Sequence, residues 1–93
     1  MVGLPLILTS AQERETMRID YDPKADTVYV KLREGAEVYG EDIDSNRGVD
    51  YDAEDRPVGV EFLNVSGGVD VADLPEQKEL ARLLAARHIR VLN

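Results

Sequence analysis

The sequence predicts an α+β protein in which an antiparallel β-meander of about five strands packs against one C-terminal helix. Three observations support this class. The chain contains two copies of one strand–turn–strand phrase, apolar residues alternate with a period of two through both copies, and a helical period replaces that alternation near the C-terminus. We therefore expect two tandem β-hairpins, a further strand between them and one helix packed on the sheet.

The two copies are IDYDPKADTVYV, beginning at Ile19, and VDYDAEDRPVGV, beginning at Val49, and they align at an offset of thirty residues. Each copy predicts two half-buried strands, because every second residue is apolar. The segments DPKAD and AEDRP predict the turns, since Asp and Pro favour turn dihedrals. The side chains predicted to face the core are Val28, Val30 and Leu32 in the first copy and Val58, Val60 and Phe62 in the second.

The segment AEVYGEDID between the hairpins predicts a further strand, which ends at the turn segment SNRG. Val38 and Tyr39 compete for its inward face, and Gly40 is a candidate β-bulge. The outer face of the sheet, which includes Tyr29 and Leu63, is expected to stay in contact with water unless two copies of the chain pair.

The segment DLPEQKELARLLAARHIRVLN predicts one amphipathic helix of about three to four turns. Leu80, Leu83 and Leu84 have the spacing of one helical face. Asp73 is the predicted N-cap, and Pro75 falls in the first turn, where its missing N–H costs nothing. The last residues, HIRVLN, also alternate in polarity, so they alternatively form a short strand.

Length and composition indicate a single domain, residues 17–93, preceded by an extension, residues 1–16. The extension is expected to be disordered or, alternatively, to add an edge strand through Leu6, Ile7 and Leu8. The chain has no cysteine, which excludes disulfides and thiolate metal sites. No stretch approaches the length of a membrane span, and the apolar N-terminus lacks the basic residues of a signal peptide. We therefore expect a cytoplasmic protein.

The formal net charge of −8 is unevenly distributed. Residues 17–74 carry 15 acidic and 6 basic side chains, whereas residues 75–93 carry 2 acidic and 4 basic ones. An acidic surface repels phosphate backbones, so we do not expect nucleic-acid binding by this chain alone. The same surface attracts basic proteins, and the alternative is that the charge only maintains solubility.

The repeated aspartates suggest two alternative roles. Their D-x-D spacing is similar to that of calcium loops, but neither copy has glycine at the sixth position, and only the second has a glutamate, Glu61, at the twelfth. The alternative, which we prefer, is that Asp22 and Asp52 accept backbone N–H groups of the following turns. The acidic residues considered are Asp20, Asp22 and Asp26 in the first copy and Asp50, Asp52, Glu54 and Asp55 in the second.

No catalytic, cofactor-binding or metal-binding residue is predicted. His88 is the sole histidine, and its place on the last helical turn favours a surface role. Thr9, Ser10, Ser45 and Ser66 lack the context of a nucleophile elbow. The glycine pair Gly67–Gly68 lacks the spacing of a phosphate-binding loop. We therefore do not expect an enzyme and predict no cofactor.

Together, the segments MRIDYDPKADTVYVKL and GVDYDAEDRPVGVEFLNVS resemble the small prokaryotic family called domain of unknown function 2283. The resemblance covers about residues 17–66 and carries no assigned activity or catalytic residue. Some relatives lie beside genes for small ribonuclease-like toxins, so the resemblance implies an antitoxin-like role with a basic protein partner. The matching positions are Tyr21, Asp22, Asp26, Val28, Tyr29, Val30, Asp50, Tyr51, Asp52, Val58, Gly59, Val60, Glu61 and Asn64.

The leading hypothesis is therefore a small, acidic, non-catalytic domain that interacts with a protein partner, either as an antitoxin-like module or as a subunit of a larger assembly. The alternatives are a calcium-binding regulatory domain that uses the aspartate turns and a self-associating structural domain such as a homodimer.

Overall fold

The computed structural model describes residues 17–92, so the predicted extension and its alternative edge strand at Leu6, Ile7 and Leu8 lie outside the described residues. Five strands form one antiparallel sheet in the order β1-β2-β5-β4-β3. Their bounds are β1 Arg18–Asp22, β2 Thr27–Lys31, β3 Tyr39–Asp44, β4 Arg47–Tyr51 and β5 Pro57–Leu63. The predicted α+β class, with five antiparallel strands and one helix, is confirmed.

The strand order differs from a simple meander at one position. β5 lies between β2 and β4, so the hairpin β1–β2 joins a three-stranded meander, β3–β4–β5, through the contact of β2 with β5. Both predicted hairpins are present, because β1 pairs with β2 and β4 pairs with β5. Among residues 17–92, the strand between the hairpins, β3, pairs with β4 alone and forms one edge of the sheet.

The repeat in the sequence is also a repeat in space. Val30 and Val60 are equivalent in the two copies, and they pair directly across the β2–β5 contact. The partners within each hairpin are equivalent as well, since Ile19 pairs with Val30 and Val49 pairs with Val60. A local two-fold axis therefore passes between Val30 and Val60.

One face of the sheet is covered by the C-terminal part of the chain. This part contains a 3-10 turn at Val65–Gly67, a short parallel pair of β6 Val69–Asp70 with β7 Val91–Leu92, and α1 Gln77–Ala86. Leu80 and Leu84 of α1 are completely buried. Burying such a side chain contributes about 1.5–3 kcal/mol. The core consists of Ile19, Val28, Val30, Leu32, Val49, Val60, Phe62, Val65, Val69, Val71, Leu74, Leu80, Leu84 and Ile89.

The helix begins later than the sequence predicts. It starts at Gln77 rather than after Asp73, and its N-cap is Glu76, which makes no capping hydrogen bond through its side chain. Asp73 and Glu76 both have left-handed backbone conformations, with φ of 63° and 57°. The predicted N-cap at Asp73 is therefore wrong. Leu74 is buried between these two residues, so packing rather than capping determines the path of the chain there.

The helix ends in a Schellman-type closure. The N–H of His88 donates to the Ala85 carbonyl at 2.9 Å, and the N–H of Ile89 donates to the Leu84 carbonyl at 3.0 Å. His88 has a φ of 63° and occupies the left-handed position that glycine usually takes. Val91 then pairs in β7, which confirms the alternative prediction of a short strand in HIRVLN.

The C-terminal layer covers the sheet unevenly. Ile19 of β1 is only 9% exposed, whereas all six residues of β3 are exposed. The irregularity in β3 lies between Asp42 and Asp44 rather than at the candidate bulge Gly40. Tyr39 faces the same side as Tyr51 and stacks on it, with ring centroids 5.1 Å apart. No helix among residues 17–92 has both the length and the apolar content needed to cross a membrane.

Candidate functional site

The aspartate side chains at strand ends shape the turns that follow them. Asp22 Oδ1 accepts the N–H groups of Lys24, at 3.1 Å, and Ala25, at 3.2 Å. Asp52 Oδ1, at the equivalent position of the second copy, accepts those of Glu54 and Arg56, both at 2.9 Å. The prediction that Asp22 and Asp52 stabilise turns is confirmed. The same bond to the N–H two residues on is made by Asp44 and Asp70.

Asp52 is the more deeply embedded of the two equivalent residues. It is 7% exposed, and its second carboxylate oxygen accepts a hydrogen bond from Arg56 Nε at 3.0 Å. The N–H of Arg56, the N–H of Glu54 and the Arg56 guanidinium lower the pKa of Asp52 and outweigh the opposing effect of burial. Every oxygen of this carboxylate therefore has a donor from its own turn.

Asp26 and Asp55 complete the two turns in left-handed conformations, with φ of 60° and 63°. The Asp26 carboxylate accepts the N–H of Ser66 at 2.9 Å and its hydroxyl at 2.8 Å, which attaches the first turn to the 3-10 turn. Asp55 Oδ1 accepts the Tyr39 hydroxyl at 2.8 Å, and this bond is the main reason that the pKa of Tyr39 is raised to about 12. Both aspartates thus connect a turn to a neighbouring element.

The acidic residues considered for calcium are not gathered around one point. Within residues 17–92, no three Asp, Glu, His or Cys side chains are placed together in a way that could hold a metal ion. Asp22 and Asp52 each accept turn N–H groups through Oδ1, and Asp50 accepts a hydrogen bond from the Tyr29 hydroxyl at 2.9 Å. The geometry favours the turn role of these carboxylates.

The strand registers define the side chains on the outer face of the sheet, which is the face opposite the core. Two rows cross all five strands from the β3 edge to the β1 edge. The first row is Gly40, Asp50, Gly59, Lys31 and Arg18, and the second is Asp42, Gly48, Glu61, Tyr29 and Asp20. The β3 half of this face therefore has acidic side chains and glycines, and both basic residues lie in the β1–β2 half.

Tyr29 and Gly59 are equivalent in the repeat but opposite in size. A Cβ atom at Gly59 would lie 1.8 Å from the Tyr29 hydroxyl, so the tyrosine occupies the space that a side chain at Gly59 would need. In this position Tyr29 reaches Asp50, and burial together with that hydrogen bond raises the pKa of Tyr29 well above its usual value. The expectation that Tyr29 stays in water is only partly correct, because the side chain is half-buried.

The remaining carboxylates of the β3 half lack partners in the described part of the chain. Asp42 and Glu61 flank Gly48 from the two neighbouring strands, and both are exposed. No hydrogen bond or ion pair with another side chain of residues 17–92 is formed by either. On the basic side, Arg18 pairs with Glu34 at 3.1 Å and Lys31 donates to the Gly35 carbonyl at 2.9 Å. The negative charge of the β3 half is therefore not neutralised within the sheet.

β3 also concentrates exposed apolar surface. Val38, just before the strand, is 60% exposed, and Tyr39 and Ile43 are 39% and 42% exposed. They are half of the large apolar side chains that are exposed among residues 17–92, the others being Tyr21, Leu63 and Leu92. A shallow depression beside the start of β3 is lined by Ala36, Val38 and Ala53. The sequence predicts a strand here, but it contains no feature that indicates that the C-terminal layer leaves this strand uncovered.

His88 lies away from the carboxylates of the sheet. It closes α1 and lines a shallow surface depression with Ser66 and Arg87. The Ser66 hydroxyl donates its proton to Asp26 and therefore does not donate to His88.

Comparison with known proteins identifies the region that carries the repeat. The family model described as a protein of unknown function, DUF2283, matches residues 18–66, which extend from β1 to the 3-10 turn. No curated protein and no solved structure matches the chain. The matched region is more than half of the chain and contains all five strands, both aspartate turns and the acidic half of the outer face. The chain therefore belongs to the DUF2283 family.

Proposed function

We propose that this chain is a non-catalytic interaction domain that binds a basic protein through the outer face of β3, β4 and β5. The observation that carries the proposal is the separation of charge on that face. Asp42, Asp50 and Glu61 lie on the three strands, and both basic residues of the two rows lie on β1 and β2. Such a surface attracts Lys and Arg side chains and accelerates encounter with a basic partner.

The shape of this half-face is suited to a protein surface rather than to a small molecule. Gly48 leaves a low, open surface between Asp42 and Glu61, whereas Asp50 and Tyr29 fill the spaces over Gly40 and Gly59. Asp42 and Glu61 are exposed and have no ion pair within residues 17–92, so a partner does not have to break an internal salt bridge to reach them. A small basic nuclease of the kind that antitoxins neutralise fits this description, and so does a basic subunit of a larger assembly.

The test is affinity capture with charge variants. The full-length chain, immobilised, is exposed to a native lysate of the source organism at low salt, and retained proteins are identified by mass spectrometry. The variant is Asp42→Lys with Glu61→Lys, and the control is Asp20→Lys, which lies in the same row at the opposite edge. We expect wild type and control to retain the same basic proteins and the double variant to lose them.

Salt provides the second criterion. At about 0.5 M NaCl the screening length falls to about 4 Å, so an electrostatic complex should dissociate. Reproducible absence of an enriched basic protein, or retention that neither salt nor the double variant reduces, would refute the proposal.

A further inference from the structure

We infer that the outer edge of β3 is a docking strand, to which an extended basic segment of the partner adds as a further antiparallel or parallel strand. This inference rests on the proposed function and specifies its mode of binding. β3 pairs with β4 on one side, and no segment among residues 17–92 pairs with its other side. The backbone N–H and C=O groups on that side are therefore available to a new strand.

The side chains of β3 favour a strand partner over a purely electrostatic contact. Tyr39 is held in place by its stacking on Tyr51 and by its hydrogen bond to Asp55, so it presents a fixed apolar surface. Val38 and Ile43 add exposed apolar surface at the two ends of the strand. The depression beside Val38 can receive one apolar side chain of the added segment. Backbone pairing supplies affinity in this mode of recognition, and side chains on either face supply selectivity.

Charge determines which segment is accepted. Glu41 and Asp42 are adjacent on β3, and both are exposed. Pairing of β3 with β3 of a second copy would bring four such carboxylates together on a chain whose net charge is −8. Like charges on facing strands are destabilising, whereas opposite charges stabilise the pair. The acidic residues therefore oppose self-association at this edge and favour an added strand with Lys or Arg.

The other sheet edge has these features to a lesser degree, since its one exposed large apolar side chain is Tyr21 and its acidic residues lie beside Arg18. β1 places Ile19 in the core and Arg18 in an ion pair with Glu34. Its outer-face residues are Arg18, Asp20 and Asp22, and Asp22 is engaged with its own turn. We therefore expect an added basic strand to select β3 over β1.

The experiment is a titration of the ¹⁵N-labelled full-length chain, followed by NMR chemical shifts and amide exchange. The probe is a capped peptide of alternating lysine and valine, about as long as β3. One control has the same sequence with N-methyl groups on alternate residues, which keeps the charge but removes backbone donors. The other control alternates glutamate and valine, which keeps the strand pattern but reverses the charge.

We expect the lysine–valine peptide to shift the resonances of residues 39–44 and to slow exchange of the β3 amides that point away from β4 by at least about tenfold. The N-methylated and glutamate peptides should bind at least about tenfold more weakly. The inference is overturned if those outward-pointing β3 amides are already protected in the free chain, if the added strand protects β1, or if no probe protects them. Formation of a dimer through β3 would also overturn it.

The outcomes separate this inference from the proposed function. Equal binding by the lysine–valine peptide and its N-methylated form would refute strand addition and leave a charged surface contact in place. Loss of lysate partners in the Asp42→Lys, Glu61→Lys variant is expected in either mode, because Asp42 lies on β3, so the comparison with the N-methylated peptide decides between the two modes. Failure of the lysate experiment together with β3 protection by the lysine–valine peptide would refute the proposed cellular role and retain the docking property of the edge.

Discussion

β1 and β3 are the two edge strands of one sheet, yet the chain uses them differently. β1 contributes Ile19 to the core, and the C-terminal layer packs over it. β3 contributes no residue to the core and carries an exposed mixture of apolar and acidic side chains. One helix of ten residues and its flanking segments cover only part of a five-stranded sheet. Of the two carboxylates in the β3 half of the outer face that lack partners within residues 17–92, the uncovered strand carries one, Asp42.

This difference separates β3 from the rest of the sheet. β1, β2, β4 and β5, with the helix, form the core of a small domain. β3 is kept in place through β4, the Tyr39–Tyr51 stack and the Tyr39–Asp55 hydrogen bond, and its own side chains stay exposed. An exposed edge strand is a risk for aggregation, and charge together with a local irregularity reduces that risk. Both features are present in β3. The charges are those of Glu41 and Asp42, and the irregularity lies between Asp42 and Asp44.

The largest expected effect compares two isoleucines, one on each edge strand. Ile19→Ala should lower the free energy of unfolding by about 2–4 kcal/mol, because it leaves a cavity in the core. Ile43→Ala should change it by less than about 0.5 kcal/mol, because the side chain is exposed. Chemical denaturation of both variants measures the difference. Equal losses would show that β3 is covered in solution and would refute the contrast between the edges.

A second effect tests the outer face at the centre of the sheet. Gly59→Ala should cost about 1–3 kcal/mol, because its Cβ atom displaces Tyr29 from its contact with Asp50. In a Tyr29→Ala background the same substitution should cost much less, since the space is then open. A double-mutant cycle by denaturation measures this coupling. Additive losses would mean that Tyr29 does not occupy that space.

The third prediction compares the two aspartate turns, which are equivalent in sequence but differ in how deeply their aspartate side chains are buried. Asp52→Asn should lower Tm at pH 7 by roughly 4–8 °C, because it removes the charged contact with Arg56, and Asp22→Asn should lower it less. The pKa of Asp52 is lowered from 3.8 by folding, so its contribution is present above pH 3.8 and is lost as pH falls through the lower folded value.

The Asp52→Asn variant should therefore lose less stability than wild type on acidification below pH 3.8. Thermal melts at pH 7 and at about pH 3 measure this difference. Identical acid dependence of wild type and Asp52→Asn would show that the Arg56 contact and the turn N–H groups do not hold that carboxylate in its charged form.

The smallest expected effect concerns calcium and both turns together. Because turn N–H groups occupy Oδ1 of both Asp22 and Asp52, millimolar calcium should leave Tm unchanged within about 1 °C. A melt with magnesium at equal ionic strength is the control. A rise in Tm that is specific to calcium would show that one of the turns rearranges to bind the ion.

The hairpins could be predicted from the sequence because their determinants are local. Alternation around Val30 and Val60 specifies the buried face, and Asp22 and Asp52 specify the turns. The insertion of β5 between β2 and β4 could not be predicted in this way, because strand order depends on which hydrophobic faces meet across long loops. The sequence feature that pointed to the contact between β2 and β5 was the equivalence of Val30 and Val60 in the two copies of the repeat, thirty residues apart.

The helix start and the open edge were harder to predict for physical reasons. Asp73 is a residue type that is common at the N-cap. Burial of Leu74 nevertheless takes the backbone through a left-handed conformation, and the helix begins only at Gln77. The pairing of Tyr29 with Asp50 joins side chains two strands apart, which alternation cannot reveal. The exposure of β3 depends on how far the C-terminal layer extends, and no residue in AEVYGEDID specifies that.

The most direct measurement uses one substitution on β3 with two readouts. Ile43→Lys places a positive charge on the exposed docking strand without touching the core. We expect its denaturation midpoint to match that of wild type, while low-salt capture of basic proteins and binding of the lysine–valine peptide are lost. A variant that unfolds more easily, or one that keeps both binding activities, would contradict the assignment of stability to the core and recognition to the β3 edge.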